Sequence, residues 1–75
     1  MRSANDLYEL KEKHESGFGC DLGNGYACFI SKLLTGEWMV SKLDRNDKDV
    51  FRKTVPAATS EDEFKSVLSE MLAAR

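Results

Sequence analysis

The C-terminal segment that begins at residue 60 carries the pattern that most constrains the fold. Ser60 is a favourable residue at the start of a helix, and Glu63 follows at the spacing of a capping box. Five apolar residues then recur at the three- and four-residue spacing of one helix face: Phe64, Val67, Leu68, Met71 and Leu72. We therefore expect a helix over about residues 60–74, with a broad apolar face that must pack against the rest of the chain.

A shorter helix is expected near the N-terminus, over about residues 5–15. Ser3 and Asp6 have the spacing of a capping box, and an acidic residue near a helix N-terminus is stabilised by the helix dipole. The apolar stripe of this segment is narrow and consists of Leu7, Leu10 and the ring of His14. The sequence thus predicts a helix that docks along a single seam.

Three segments between these helices are rich in β-forming residues, at about residues 26–34, 37–43 and 49–55. A tight turn at residues 34–37 joins the first two, and a polar turn at residues 44–49 joins the last two. We expect a three-stranded antiparallel meander with the helices packed on one face. The predicted fold is a small α+β domain of residues 1–75, with the element order α-β-β-β-α.

The stretch at residues 16–25 is rich in glycine and raises the question of a phosphate-binding loop. A dinucleotide-binding fingerprint requires a third glycine where Leu22 stands, and it requires a strand before the glycines and a helix after them. The order expected here is the reverse, and no P-loop motif is present. We interpret the stretch as a flexible connector, with Gly17 ending the first helix and Asn24-Gly25 forming an entry turn to the first strand.

Composition and charge exclude several classes of function. The 75 residues carry a net charge of −2, which is too small for long-range attraction to nucleic acid or to an anionic membrane. No apolar run approaches the length of a membrane span, and the first residues lack the apolar segment of a secretory signal. We therefore expect a cytoplasmic protein that does not associate with membranes.

Cys20, Cys28 and the single histidine, His14, are the residues most open to chemistry. The two cysteines lack the C-x-x-C spacing of redox enzymes and zinc knuckles. A zinc site and a disulfide are both conceivable, but the favoured interpretation is two free thiols in a reducing compartment, with Cys28 in the core and Cys20 exposed in the connector. A Cys20–His14 nucleophile pair lacks the further groups that catalysis needs. We expect no enzymatic activity, no metal and no cofactor.

A set of acidic and aromatic residues forms the candidate partner-binding surface. Aromatic side chains are enriched at protein interfaces, and acidic side chains can meet lysine and arginine on a partner. The single tryptophan has a second interpretation, since one tryptophan in a small sheet is more often part of the core. The candidate residues are Glu61, Asp62, Glu63, Glu70, Glu37 and Trp38.

The alternative candidate surface is basic and lies on the last two predicted strands and the turn between them. It consists of Lys42, Arg45, Lys48, Arg52 and Lys53. The predicted order α-β-β-β-α is similar to that of the double-stranded-RNA-binding domain family, and this resemblance implies RNA binding through a basic second helix. The corresponding stretch here, residues 59–63, is acidic. Direct nucleic-acid binding is therefore the less favoured hypothesis.

These observations favour a non-enzymatic protein-binding module that acts by surface docking. Small chains without catalytic groups are common among accessory proteins of phages and mobile elements, including inhibitors of host defence such as anti-CRISPR proteins. On this hypothesis the partner is a larger protein or a nucleoprotein complex of the host. Homodimerisation through a sheet edge or through the helices also stays open.

Overall fold

Two helices and a four-stranded sheet make up the computed structural model, which describes residues 2–75. The elements follow in the order α1 (Ala4–Lys13), β1 (Gly17–Gly23), β2 (Tyr26–Lys32), β3 (Trp38–Leu43), β4 (Asp49–Val55) and α2 (Glu61–Ala73). The strands lie in the sheet in chain order, and each neighbouring pair is antiparallel. The α+β class predicted from the sequence is confirmed, and Met1 lies outside the described residues.

The predicted three-stranded meander is wrong, because the glycine-rich stretch forms a fourth strand. Residues 17–23 pair with β2, with an irregularity between Asp21 and Gly23, and Cys20 lies directly opposite Cys28. Asn24 and Gly25 both have positive φ angles, of 55° and 84°, as a two-residue hairpin turn requires. The element order is therefore α-β-β-β-β-α, which departs from the order that resembled the double-stranded-RNA-binding domain.

Both helices begin at the caps that the sequence predicts. The Ser3 hydroxyl accepts a hydrogen bond from the backbone N–H of Asp6, and the Asp6 carboxylate accepts one from the backbone N–H of Ser3. The pKa of Asp6 lies below its usual value, chiefly because the backbone N–H of Ser3 donates to the charged carboxylate, and the Ser3 side chain adds to this effect. Ser60 accepts from the N–H of Glu63 at the start of α2. The first helix ends at Lys13, with His14 as its C-cap, so Gly17 does not terminate it.

The core lies between the helices and one face of the sheet. It consists of Leu7, Cys28, Ile30, Trp38, Val40, Val55, Phe64, Val67, Leu68 and Met71. The ring of Phe64 makes edge-to-face contacts with Tyr8 and Trp38, at centroid distances of 5.8 and 6.2 Å. Four of the five apolar residues predicted for the second helix are fully or almost fully buried, and Leu72 packs partly buried beside them.

A lysine from α1 joins this aromatic cluster. The ammonium of Lys11 lies 5.0 Å from the ring centre of Tyr8, 5.1 Å from that of Trp38 and 4.8 Å from that of Phe64. A cation over an aromatic face is attracted by the negative face of the ring. Lys11 therefore ties the thin first helix to the core through its charge as well as through its methylene groups.

Candidate protein-binding surface

The two helices cover only one face of the sheet, and the opposite face is open. Side chains alternate along a strand, so the residues beside core positions point away from the helices. Phe29 lies between the core residues Cys28 and Ile30, and Met39 lies between Trp38 and Val40. Ala27 and Leu43 lie opposite each other on neighbouring strands and join them on this side. We call Ala27, Phe29, Met39 and Leu43 the open face.

Phe29 is the most prominent residue of the open face. It is 43% exposed, although phenylalanine is a residue that small domains normally bury. Its ring lies against Gly19 of β1, where a Cβ atom would stand 2.9 Å from two ring carbons. The ring therefore covers part of the glycine-rich edge strand and still presents more than a third of its surface to solvent.

Polar groups lie beside the apolar residues of the open face, and Ser41 lies among them, directly opposite Phe29. Thr54 donates a hydrogen bond to the sulfur of Met39 at 3.8 Å, and Ser41 donates to the backbone carbonyl of Phe29 at 3.5 Å. Arg52 forms an ion pair with Asp49 at 3.5 Å on the neighbouring edge strand. An apolar centre with a polar margin is the common anatomy of a protein interface.

The four predicted acidic residues of α2 are exposed, but two of them are paired within the chain. Glu61 accepts from Lys65 at 2.7 Å, and Glu70 lies 3.7 Å from Lys53. The Glu61 carboxylate raises the pKa of Lys65. Asp62 and Glu63 lie in the first turn of the helix, where the helix dipole stabilises negative charge. Their position therefore has a structural reason that requires no partner.

The two predicted residues at the start of β3, Glu37 in the turn and Trp38 in the strand, differ in exposure. Trp38 is only 8% exposed and packs on Phe64, so the interpretation of Trp38 as a core residue holds and its ring leaves little surface for a partner. Glu37 is half-buried, and its carboxylate accepts a hydrogen bond from Thr35 at 2.9 Å. The fully exposed apolar residue of this turn is Leu34, which sequence reasoning did not single out.

Lys42, one of the five predicted basic residues, lies inside the domain. It is 4% exposed, and its ammonium donates hydrogen bonds to the carbonyls of Leu72 at 3.0 Å and Ala74 at 2.8 Å. Burial lowers the pKa of Lys42, and the charge of Arg75 adds to this effect. The carbonyls at a helix C-terminus lack partners within the helix, so Lys42 caps α2. It is not available to a phosphate group.

The other predicted basic residues do not form one patch. Lys53 pairs with Glu70 on the helix side, whereas Arg52 pairs with Asp49. Arg45 lies in the β3–β4 turn, where its guanidinium donates to the carbonyl of Asn24 at 3.4 Å. The fifth, Lys48, lies in the same turn.

That turn is itself held by an acidic residue. The carboxylate of Asp44 accepts hydrogen bonds from the backbone N–H groups of Asn46 and Lys48, at 2.8 and 3.1 Å. These bonds hold the pKa of Asp44 below its usual value. The predicted basic residues are thus dispersed over the interior, both sides of β4 and a turn that also carries carboxylates.

The two cysteines lie side by side on the helix side of the β1–β2 pair. Cys28 is fully buried, as predicted, but Cys20 belongs to a strand and is half-buried, so its predicted place in an exposed connector is wrong. Their Sγ atoms are 3.1 Å apart. Burial raises the pKa of the Cys28 thiol to about 12, and its hydrogen bond to Cys20 adds to this effect.

The concave regions of the surface are open depressions. One, of about 610 Å³, lies between the helices and is lined partly by Tyr8, Glu9 and Glu61. Within residues 2–75, no three side chains of histidine, cysteine, aspartate or glutamate come together as a candidate metal site. His14 is exposed at the end of α1, and its ring lies 5.7 Å from that of Phe18.

Sequence comparison and fold comparison give no further guide to function. No protein-family model matches the chain, and no curated protein or solved structure matches it either. In the part of the chain that the structure describes, neither helix combines the length and the hydropathy needed to cross a membrane.

Proposed function

We propose that the chain is a small non-enzymatic module that binds a larger protein through the open face of its sheet. The observation that supports this proposal is the exposed ring of Phe29 beside the apolar side chains of Met39 and Leu43, on the face of the sheet that no helix covers within residues 2–75. A standard interface takes about 800 Å² from each partner. The total accessible surface of the chain is 4888 Å², so an interface of that size would take about a sixth of it.

The partner is a protein, or a nucleoprotein complex, that presents an apolar contact of its own. Aromatic rings at the centre of an interface contribute most of the binding free energy, while the polar margin excludes water. Phe29 takes this central role, with Met39 and Leu43 beside it. Arg52 and Thr54 at the margin supply polar contacts that fix the orientation of the partner.

We further propose that such a module serves as an accessory protein of a phage or mobile element, which inhibits a host defence complex in the manner of anti-CRISPR proteins. The support is the small size of the chain and the charge of its helices. Together α1 and α2 carry seven acidic and three basic side chains. An acidic layer on the bound module opposes the approach of nucleic acid to the partner.

Affinity capture from the native cell, read by quantitative mass spectrometry, tests the role of the open face. The Phe29→Asp variant should lose the partner, because it places a charge at the centre of the apolar contact. Leu34→Ser is the matched control, since it removes a fully exposed apolar side chain from a turn outside the open face. A cooperative melt of both variants shows that they are folded.

Three results would overturn the proposal, each in a different way. Retention of the partner by Phe29→Asp, with loss in a Glu61→Lys/Glu63→Lys variant, assigns binding to the acidic end of α2. A dimer of the wild-type chain that Phe29→Asp converts to a monomer shows that a second copy covers the face. A salt-sensitive gel shift with RNA or DNA, abolished in Arg45→Glu/Lys48→Glu, favours the nucleic-acid hypothesis.

A further inference from the structure

Cys20 and Cys28 have the geometry from which a disulfide forms with little movement. The two residues are direct partners across the antiparallel β1–β2 pair, with both side chains on the helix side of the sheet. Opposed residues in such a pair have Cα atoms about 4.5–5.5 Å apart, within the range of about 4.4–6.8 Å found in disulfides. The Sγ atoms, now 3.1 Å apart, need to approach by only about 1 Å to reach bonding distance.

The two thiols differ in their access to solvent. Cys20 is half-buried and lies on β1, which within residues 2–75 is an edge strand that pairs only with β2. Cys28 is fully buried, and its raised pKa keeps it protonated at neutral pH. An external reagent therefore meets Cys20 first, and Cys28 lies behind it as the second thiol.

We propose that Cys20 and Cys28 form a reversible oxidation site, which a low-molecular-weight disulfide such as glutathione disulfide closes to a cross-strand disulfide. The thiolate of Cys20 attacks one sulfur of the reagent, forms a mixed disulfide and releases one glutathione thiolate. Cys28 then attacks Sγ of Cys20, and its proton passes to the second glutathione, which leaves as a thiol. The chain loses two electrons and two protons, and the reagent gains both as two thiols.

The hairpin favours the second step over a lasting mixed disulfide. The Asn24-Gly25 turn and the paired strands hold Sγ of Cys28 next to Sγ of Cys20, so the attack is intramolecular. Intramolecular steps between positioned groups are faster than the same step between separate molecules. A bulky adduct on half-buried Cys20 also disturbs its packing against the core, whereas the cross-strand bond does not.

The test is oxidation of the folded wild-type chain with glutathione disulfide, followed by a maleimide that labels free thiols, and measurement of the intact mass. We expect a mass lower by two hydrogens, no label, and full reversal by dithiothreitol. Closure of the short loop between the cysteines should raise the melting temperature by roughly 10 °C. Cys28→Ala should stop at the mixed disulfide on Cys20, because the second thiol is absent.

Cys20→Ser is the matched control for access. Its remaining thiol, Cys28, should stay unmodified in the folded chain and react only after denaturation. The proposal is overturned if the folded wild-type protein accumulates the glutathione adduct. It is also overturned if both thiols of the folded protein stay free under conditions that oxidise the thiols of an unfolded sample. An oxidised form that melts below the reduced form also overturns it, since the native geometry then does not accommodate the bond.

Discussion

Replacing Lys11 with methionine removes a positive charge from the aromatic cluster and keeps an unbranched side chain of similar length. The ammonium lies about equally far from the rings of Tyr8, Trp38 and Phe64, at 4.8–5.1 Å from their centres. Methionine and lysine have similar helix propensity, so the substitution leaves the backbone of α1 unaffected. The change in stability therefore reports the interaction of the charge with the rings, less whatever the methionine sulfur gains from the same rings.

The expected loss is about 1 kcal/mol. A cation–π contact contributes about 0.5–1 kcal/mol at an exposed site and about 2 kcal/mol when it is desolvated. The Lys11 side chain is 15% exposed, which places it near the upper value. Its ion pair with Glu12 adds little because the glutamate is mostly exposed. The methionine sulfur recovers about 0.3–1.5 kcal/mol against the same rings, which offsets part of the loss.

Urea denaturation and thermal melting of the Lys11→Met variant measure this loss. A loss of about 1 kcal/mol lowers the melting temperature by roughly 4–8 °C in a domain of this size. Lys13→Met on the same helix is the control, since Lys13 is exposed and should change stability by less than about 0.5 kcal/mol. Equal stability of Lys11→Met and Lys13→Met would contradict the prediction, because the charge of Lys11 would then contribute no more than the methionine sulfur that replaces it.

Two further predictions concern the β1–β2 pair, both in reduced protein. Native Cys28 keeps its proton up to about pH 12 while the unfolded thiol loses it near pH 9, so stability should be complete below pH 9 and fall by about 1 kcal/mol at pH 10. Chemical denaturation below pH 9 and at pH 10 measures this fall in the free energy of unfolding. The fall should be smaller in Cys28→Ala than in the wild-type chain, and an equal fall contradicts the prediction. Gly17→Ala should destabilise the domain by about 1–3 kcal/mol, because φ is 118° and the new Cβ meets the carbonyl oxygen of Ile30. Gly23→Ala, where the surrounding space is open, should lose less in the same denaturation series, and an equal loss excludes a role for the clash.

The sequence predicted the elements whose signals are local. The cap at Ser60 and the apolar spacing from Phe64 onward lie within one segment, and α2 forms there. The three strands with many β-branched and aromatic residues also form where their composition indicated, as β2, β3 and β4. In each case the residues that specify the element are neighbours in the chain, so that tertiary contacts reinforce a pattern already present.

The missed strand shows how the glycines concealed a second pattern. Residues 17–23 contain three glycines, which have low strand propensity, and the strand forms because β2 supplies its hydrogen-bonding partner. Two signals were nevertheless present. Phe18, Cys20 and Leu22 alternate with period two, and Asn24-Gly25 is a strong hairpin signal. Read together, they predict a strand that turns back into β2.

The candidate site could be predicted only in part, because residue type does not reveal which way a side chain points. Residue type alone predicts an exposed Lys42, yet this residue shares the alternation of Trp38 and Val40 and therefore lies on the buried face of β3. The same alternation places Phe29 and Met39 on the opposite face. The helices leave this face exposed because both of them dock on the other side of the sheet. No local sequence pattern predicts which side they choose.

The two proposals involve the same pair of strands but opposite sides of it. Cys28 and Phe29 are consecutive in β2, so one faces the helices and the other faces the open side; in β1, Cys20 and Gly19 have the same relation. A disulfide between the cysteines therefore restrains the strand pair on which the ring of Phe29 rests without adding any atom to the open face. Conversely, Phe29→Asp leaves the distance between the two sulfur atoms unaltered, because the substituted side chain lies on the other side of the sheet. Loss of the partner in that variant, with normal oxidation of the cysteines, separates the failure of the docking surface from a failure of the fold.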